Sequence, residues 1–108
     1  MKRGAIVVVA ARGAYTGKPR PALVVQSDLF NPTHQSVTIC PITSDCVDAP
    51  LFRIPLPPGK RTGLRDVSQI MVDKIVSVPL SAITTEIGRC HPAELEAVED
   101  AMRQWLGD

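Results

Sequence analysis

The sequence predicts a mainly β domain that ends in an α-helix. Several short runs are rich in β-branched residues and are bounded by proline, glycine or aspartate, which is typical of buried or half-buried strands. Ten prolines suit a small barrel of short strands, and the end of the chain carries apolar residues at helical spacing. A length of 108 residues is that of one compact domain, so we expect a single domain over residues 1–108.

Three strands are predicted in the first half of the chain. They cover residues 5–10, residues 22–25 and residues 37–40, where apolar and β-branched side chains are concentrated. A glycine-containing loop over residues 12–19 separates the first two strands, and a turn-rich segment over residues 28–34 separates the next two. Loops of this kind are exposed and commonly carry binding residues.

Two further strand regions are predicted in the second half. An edge strand is predicted over residues 51–54, which Pro55, Pro57 and Pro58 bring to an end, because proline cannot donate to a strand ladder. One interrupted strand or two abutting strands are predicted over residues 67–72 and 74–78, with a bend or bulge at Asp73.

Helical structure is predicted at two places near the end of the chain. Residues 79–83 begin with proline and suit a short helical turn. The C-terminal helix has Pro92 at its first position, Glu94 near its positive N-terminal end, and Gly107 placed to stop it. Its apolar stripe predicts core or dimer packing and consists of Leu95, Val98, Met102, Trp105 and Leu106.

The charge balance excludes a protein that binds nucleic acid through a general basic field. The net charge is only +1 and the pI is about 7.8, so any nucleic-acid affinity must come from a local patch. Two groups of basic residues are candidates. Arg12, Lys18 and Arg20 surround the first loop, whereas Lys60, Arg61 and Arg65 are interpreted as solvated loop charges.

Three cysteines, an odd number without paired spacing, argue against both a disulfide framework and a zinc site. The cytoplasm is therefore the expected compartment. The apolar run near the N-terminus is too short for a signal peptide, and no stretch is long enough to span a membrane. We also expect no cofactor, because the lysine at position 18 lacks the spacing of a phosphate-binding loop.

Arg20 and Thr43 are the candidate catalytic residues. Arg20 stands at the mouth of the second predicted strand and Thr43 closes the third. A guanidinium offers five donors in a fixed fork that matches phosphate oxygens, and a nearby hydroxyl adds another donor. The pair predicts a phosphate-handling site that needs no metal. His34 and His91 adjoin no nucleophile and are interpreted as structural, and Cys40 as a buried apolar side chain.

At these positions the chain resembles the MazF/PemK family of toxin endoribonucleases. Residues 20–28 are RPALVVQSD and residues 41–44 are PITS, the two segments that carry the family's catalytic arginine and threonine. The resemblance extends over nearly the whole chain. It implies an SH3-like small β-barrel with a C-terminal helix, shared with CcdB, and a toxin of the mRNA-interferase type that cleaves single-stranded RNA at selected sequences without metal, whichever of messenger, ribosomal or transfer RNA is its main target. The products would be a cyclic phosphate and a 5′-hydroxyl end.

The resemblance also implies partners. We expect a homodimer, a cognate antitoxin with an acidic tail that covers the Arg20 groove, and contact with DNA only through the antitoxin complex. Tyr15 is expected to stack on a base or to cover the sheet edge, and Lys18 to meet a phosphate. The full set of expected RNA-binding residues is Tyr15, Thr16, Lys18, Pro21, Ser44 and Lys74.

A noncatalytic binder on the same fold is the main alternative. Trp105-Leu106-Gly107 is similar to the C-terminal Trp-Gly end that CcdB uses to poison DNA gyrase. CcdB lacks the RPALVV arrangement, so the presence of both Arg20 and Thr43 favours RNA cleavage. A purely transcription-regulatory partner of an antitoxin is a third possibility.

Overall fold

A computed structural model describes residues 1–10 and 18–107. These residues form seven strands, two 3-10 helices and one α-helix. The 3-10 helices are Val72–Lys74 and Leu80–Ala82. The other elements are β1 Ala5–Val9, β2 Arg20–Val24, β3 Ser36–Thr43, β4 Arg53–Leu56, β5 Ser68–Met71, β6 Val76–Pro79, β7 Ile83–Arg89 and α1 Pro92–Trp105.

The strands form one antiparallel sheet in the order β4-β5-β3-β2-β1-β7, with β6 also paired to β3. The long strand β3 organises the sheet, because its first half pairs with β6 and its last two residues pair with β5. In the described part of the chain, β4 and β7 lie at the two ends of this order and do not pair with each other. The sheet is therefore not closed between these two strands. Its architecture is compatible with the predicted small β-barrel.

Both faces of the central strands are buried, which explains why these strands are almost continuously apolar. One face carries the helix-side core, which includes Ile6, Leu23 and Ile42 together with Val98 and Ala101 of α1. Alternate residues of the same strands point to the other face. They form the cleft-side core, which consists of Ala5, Val7, Ala22, Val24, Val37 and Ile39.

Helix α1 begins as predicted. His91 is its N-cap, and the His91 Nδ1 accepts a hydrogen bond from the Ala93 N–H at 3.1 Å, while the Glu94 carboxylate accepts from the His91 N–H at 2.7 Å. The predicted apolar stripe is only partly buried: Val98 is fully covered, whereas Trp105 is 49% exposed and packs beside Phe52. In the described residues, no helix is long and apolar enough to cross a bilayer.

One predicted strand differs in its limits. Strand β4 covers Arg53–Leu56 rather than residues 51–54. Pro55 lies within it, because β4 is an edge strand where a missing N–H can face away from its neighbour, and the strand ends just before Pro57 and Pro58. Strand β7, residues Ile83–Arg89, was not predicted at all. It is an edge strand with mostly exposed side chains, and its threonines and glutamate give no strong alternation. The predicted bend at Asp73 is confirmed as a 3-10 turn.

Candidate active site

An open cleft of about 960 Å³ borders strands β2, β3 and β6 and the turn Val72–Lys74. Its floor is apolar and continuous with the cleft-side core, since Ala22 and Ile39 belong to both, and Val9 and Val78 pack against that core and also line the cleft. Its cationic residues are Lys18, Arg20 and Lys74. No carboxylate of the described residues lines this cleft. The arrangement suits a ligand that carries both anionic groups and flat apolar surfaces.

Arg20 and Thr43 lie at the same end of two neighbouring strands. The pairing of β2 with β3 places Ala22 opposite Pro41. Arg20 comes two residues before Ala22 and Thr43 two residues after Pro41, and both residues line the cleft. The sequence predicted that these two side chains would face one site, and the structure places both along this cleft.

The Thr43 hydroxyl is oriented by a backbone hydrogen bond. Its Oγ1 accepts from the Asp45 N–H at 3.0 Å. Because a hydroxyl has one donor and two acceptor positions, this bond uses an acceptor position and leaves the Thr43 proton available. Thr43 can therefore donate to an oxygen in the cleft.

Arg20 is exposed at the start of β2. No ion pair joins its guanidinium to an acidic side chain within residues 1–10 and 18–107. An exposed guanidinium in a cleft without carboxylates is suited to a phosphate, which it can contact through two parallel N–H donors.

The remaining predicted binding residues divide into three groups. Lys18, Pro21 and Lys74 line the cleft with Arg20. Ser44 follows Thr43 at an exposed bend and is not part of the cleft lining. Tyr15 and Thr16, and the basic candidate Arg12, lie outside the described residues.

Sequence reasoning missed the apolar floor of the cleft. Ile42, Met71 and Ile75 line it beside the cationic residues. The available signal was the run of β-branched residues in β3, which indicated a strand buried on both faces but not that one face would border a cleft.

Comparison with known proteins identifies the family. The chain matches the family of PemK-like, MazF-like toxins of type II toxin–antitoxin systems over residues 2–106. The chain belongs to this MazF-like family. It is 47% identical to "Probable endoribonuclease MazF" of Mycolicibacterium smegmatis over 107 residues, which covers 99% of this chain and 97% of the relative.

Two further comparisons agree. The chain is 31% identical to "Endoribonuclease MazF9" of Mycobacterium tuberculosis over 114 residues, which covers 98% of this chain and 96% of that protein. A solved structure of an endoribonuclease in complex with its cognate antitoxin, from a mycobacterial species, superposes with a TM-score of 0.82 at 19% identity. The superposition covers 99% of this chain and 95% of the chain in that structure. The CcdB alternative is not favoured by these relatives.

Outside the cleft, two arginines of this MazF-like chain form ion pairs with α1. Arg61 was interpreted as a solvated loop charge; it is exposed, and its guanidinium also forms two hydrogen bonds with the Glu94 carboxylate, at 2.8 and 3.1 Å. Arg3 similarly pairs with Glu99 at 2.6 Å. These contacts attach the N-terminus and the loop after β4 to α1, so we interpret them as structural.

The other candidate groups for chemistry are accounted for. Cys40 is fully buried, and burial, with a smaller effect of Asp73, raises the pKa of its thiol to about 12, so it is no nucleophile. His91 caps α1. In the described part of the chain, no group of three or more histidine, cysteine or acidic residues could hold a metal ion.

Proposed function

We propose that this MazF-like toxin cleaves single-stranded RNA in the cleft, at selected sequences and without a metal ion, and thereby inhibits translation and growth. The observation that carries the proposal is the placement of Arg20 and Thr43 at the same end of β2 and β3, both lining a cationic cleft with an apolar floor. Family membership supports endoribonuclease activity, since both curated relatives are named as endoribonucleases.

The described cleft residues supply charge and hydrogen bonds to a phosphodiester. In the proposed reaction, the ribose 2′-oxygen loses its proton to solvent water and bonds to the adjacent phosphorus, while the bond from phosphorus to the 5′-oxygen breaks and the 5′-oxygen takes up a proton from solvent. Arg20 would stabilise the negative charge that builds on the phosphorane, and Thr43 would donate to a nonbridging oxygen. The products are a 2′,3′-cyclic phosphate and a 5′-hydroxyl end.

RNA would be held by a combination of phosphate and base contacts. Lys18 and Lys74 would meet neighbouring phosphates, and the apolar floor at Pro21, Met71 and Ile75 would contact the faces of the bases. Ser44, beside Thr43, would add a further RNA contact, and Tyr15 and Thr16 are also proposed as RNA-binding residues. Because base contacts determine sequence preference, the floor would contribute to the choice of cleavage sequence.

We further propose a homodimer, a cognate antitoxin and a cytoplasmic location. The large exposed apolar side chains Leu51, Val67 and Leu106, at 66%, 61% and 69% exposure, support burial in an assembly. The cationic cleft suits an acidic segment of an antitoxin. A structural relative has been solved in complex with its cognate antitoxin. The three cysteines are free, which is consistent with a reducing compartment.

Cleavage of a long RNA in the presence of EDTA tests the proposal. Purified wild-type protein is compared with Arg20→Ala and Thr43→Ala, and with Lys60→Ala as a control for loss of a cation outside the cleft. We expect discrete cuts with 5′-hydroxyl ends from the wild type and the control, and loss of these cuts in both cleft variants. Intact RNA with folded wild-type protein, or cuts that persist in Arg20→Ala, would contradict the proposal.

A further inference from the structure

The 3-10 turn Val72–Lys74, which brings Lys74 to the cleft, is held by an ion pair between Asp73 of the turn and Arg53 of β4. Arg53 of β4 donates from Nε to the Asp73 Oδ1 at 2.9 Å and from Nη2 to the Asp73 Oδ2 at 3.2 Å. The two side chains are only 14% and 13% exposed. Neither residue lines the cleft, so this pair is separate from the groups that would touch RNA.

The backbone of the turn is attached to the same strand region. The Val72 N–H donates to the Phe52 carbonyl at 3.0 Å, and the Val72 side chain is fully buried. The Ile75 N–H then closes the turn by donating to the Val72 carbonyl at 3.2 Å. Successive residues of the turn thus have different surroundings: Val72 lies in the core, Asp73 binds Arg53, and Lys74 lines the cleft.

A bidentate pair fixes orientation better than a single contact. The planar guanidinium and the planar carboxylate share two parallel hydrogen bonds, which restrict rotation of the 3-10 turn about its backbone anchor. Lys74 is exposed and has a long, flexible side chain, so its reach into the cleft depends on where the turn places its Cα.

We propose that Asp73 and Arg53 are positioning residues for RNA binding, because their ion pair orients the Val72–Lys74 turn so that Lys74 meets an RNA phosphate. This inference rests on the proposed function. It assigns to the pair no contact with RNA and no part in the chemical step.

A pure charge effect and the positioning role predict opposite effects of Asp73→Asn on RNA binding, which makes the inference testable. Asp73→Asn removes a negative charge near the cleft and would tighten RNA binding if only the net field mattered. If the pair positions Lys74, the same substitution weakens binding. Because Lys74 would bind ground state and transition state alike, its displacement raises KM and leaves kcat nearly unchanged.

The experiment measures both binding and turnover. Binding of a 2′-O-methyl RNA, which cannot be cleaved, is followed by fluorescence anisotropy, and KM and kcat are measured on the cleavable RNA. The variants are Asp73→Asn, Arg53→Lys, Lys74→Ala and the double variant Asp73→Asn with Lys74→Ala. Glu94→Gln is the matched control, since it removes one negative charge from another bidentate arginine pair outside the cleft.

We expect Asp73→Asn to raise Kd and KM about fivefold with kcat within about twofold of wild type, and to have no further effect in the Lys74→Ala background. Glu94→Gln should leave Kd, KM and kcat within about twofold of the wild-type values. Should Asp73→Asn fail to fold, as judged by circular dichroism, Arg53→Lys takes its place. Arg53→Lys keeps the positive charge but cannot form the bidentate contact with Asp73, and it should also raise KM.

Two outcomes would overturn the inference while the proposed function stands. One is tighter or unchanged RNA binding by Asp73→Asn in a protein whose wild type binds and cleaves RNA. The other is an Asp73→Asn effect that persists in full without Lys74. A wild-type protein that neither binds nor cleaves RNA would overturn the proposed function itself, and this inference with it.

Discussion

Arg61 and Glu94 join the loop after β4 to the first turn of α1 through two hydrogen bonds, at 2.8 and 3.1 Å, across 33 residues of sequence. The same carboxylate accepts the His91 N–H at 2.7 Å and so completes the cap of the helix. Burial alone would raise the pKa of Glu94, but the hydrogen bonds from Arg61 and His91 outweigh it, and the pKa lies below its ordinary value.

Replacing Glu94 by glutamine should lower the free energy of unfolding at pH 7 by about 1 kcal/mol, because the substitution weakens both the cap and the ion pair. A carboxylate with a lowered folded pKa stabilises the protein fully above its unfolded pKa of about 4.3, and this stabilisation is lost as pH falls through the folded value. The difference between wild type and Glu94→Gln should therefore shrink below about pH 4. Urea unfolding at a series of pH values measures it.

Asp100→Asn is the control for this stability experiment. It removes an exposed helix charge that pairs with Arg103, and such pairs contribute less than about 0.5 kcal/mol. A Glu94 variant as stable as the Asp100 variant at pH 7 would show that the Arg61–Glu94 contact does not hold the helix start.

Thr43→Val should reduce kcat for RNA cleavage by about 10²- to 10³-fold, because it keeps the shape of the side chain and removes one hydrogen-bond donor to the phosphorane. Thr43→Ser keeps the donor and should retain most activity. Single-turnover cleavage of a short RNA provides the rates. Thr38→Val is the matched control: it lies on the same strand, and its hydroxyl bonds to Ser77 at 3.0 Å. Equal rates for Thr43→Val and Thr38→Val would exclude a donor role.

The salt dependence of RNA binding should count the phosphate contacts of the cleft. Each contact to single-stranded RNA adds roughly −0.7 to the slope of log K against log salt. Lys18→Ala and Lys74→Ala should each make that slope less steep by about 0.7, whereas Lys60→Ala, outside the cleft lining, should leave it unchanged. Titration with a 2′-O-methyl RNA at several salt concentrations yields the slopes. An equal change for Lys60→Ala would mean that the general charge, not the cleft, binds RNA.

One thiol should react rapidly in the folded protein. Cys46 is exposed, whereas Cys40 and Cys90 are buried. With a pKa of about 12, Cys40 is thiolate in roughly one part in 10,000 at pH 8, and it is also inaccessible. Labelling with a chromogenic disulfide reagent at pH 8 should show one fast thiol, two more after unfolding in urea, and no fast thiol in Cys46→Ser. Fast labelling that survives Cys46→Ser would require the helix-side core to open.

The strands β1, β2 and β3 and helix α1 were predictable because their signals are local. Buried strands such as Ala5–Val9 are almost wholly apolar, and α1 has a cap, a proline at its first position and a glycine after its end. The edge strand Ile83–Arg89 could not be predicted in the same way. It is stabilised by pairing with β1 through two register shifts, and that pairing leaves little periodicity in its side chains.

The candidate site also combines features that could be predicted from the sequence with features that could not. The sequence by itself determined that Arg20 and Thr43 stand at strand ends, because the apolar runs beside them fix where the strands lie. Only the tertiary structure decided that the two residues line one cleft at the same end of β2 and β3, that Lys74 joins them there, and that Asp73 binds Arg53. The physical reason is that strand limits follow from local backbone and side-chain preferences. The register between strands, and contacts such as Arg61 with Glu94, depend on how distant segments pack.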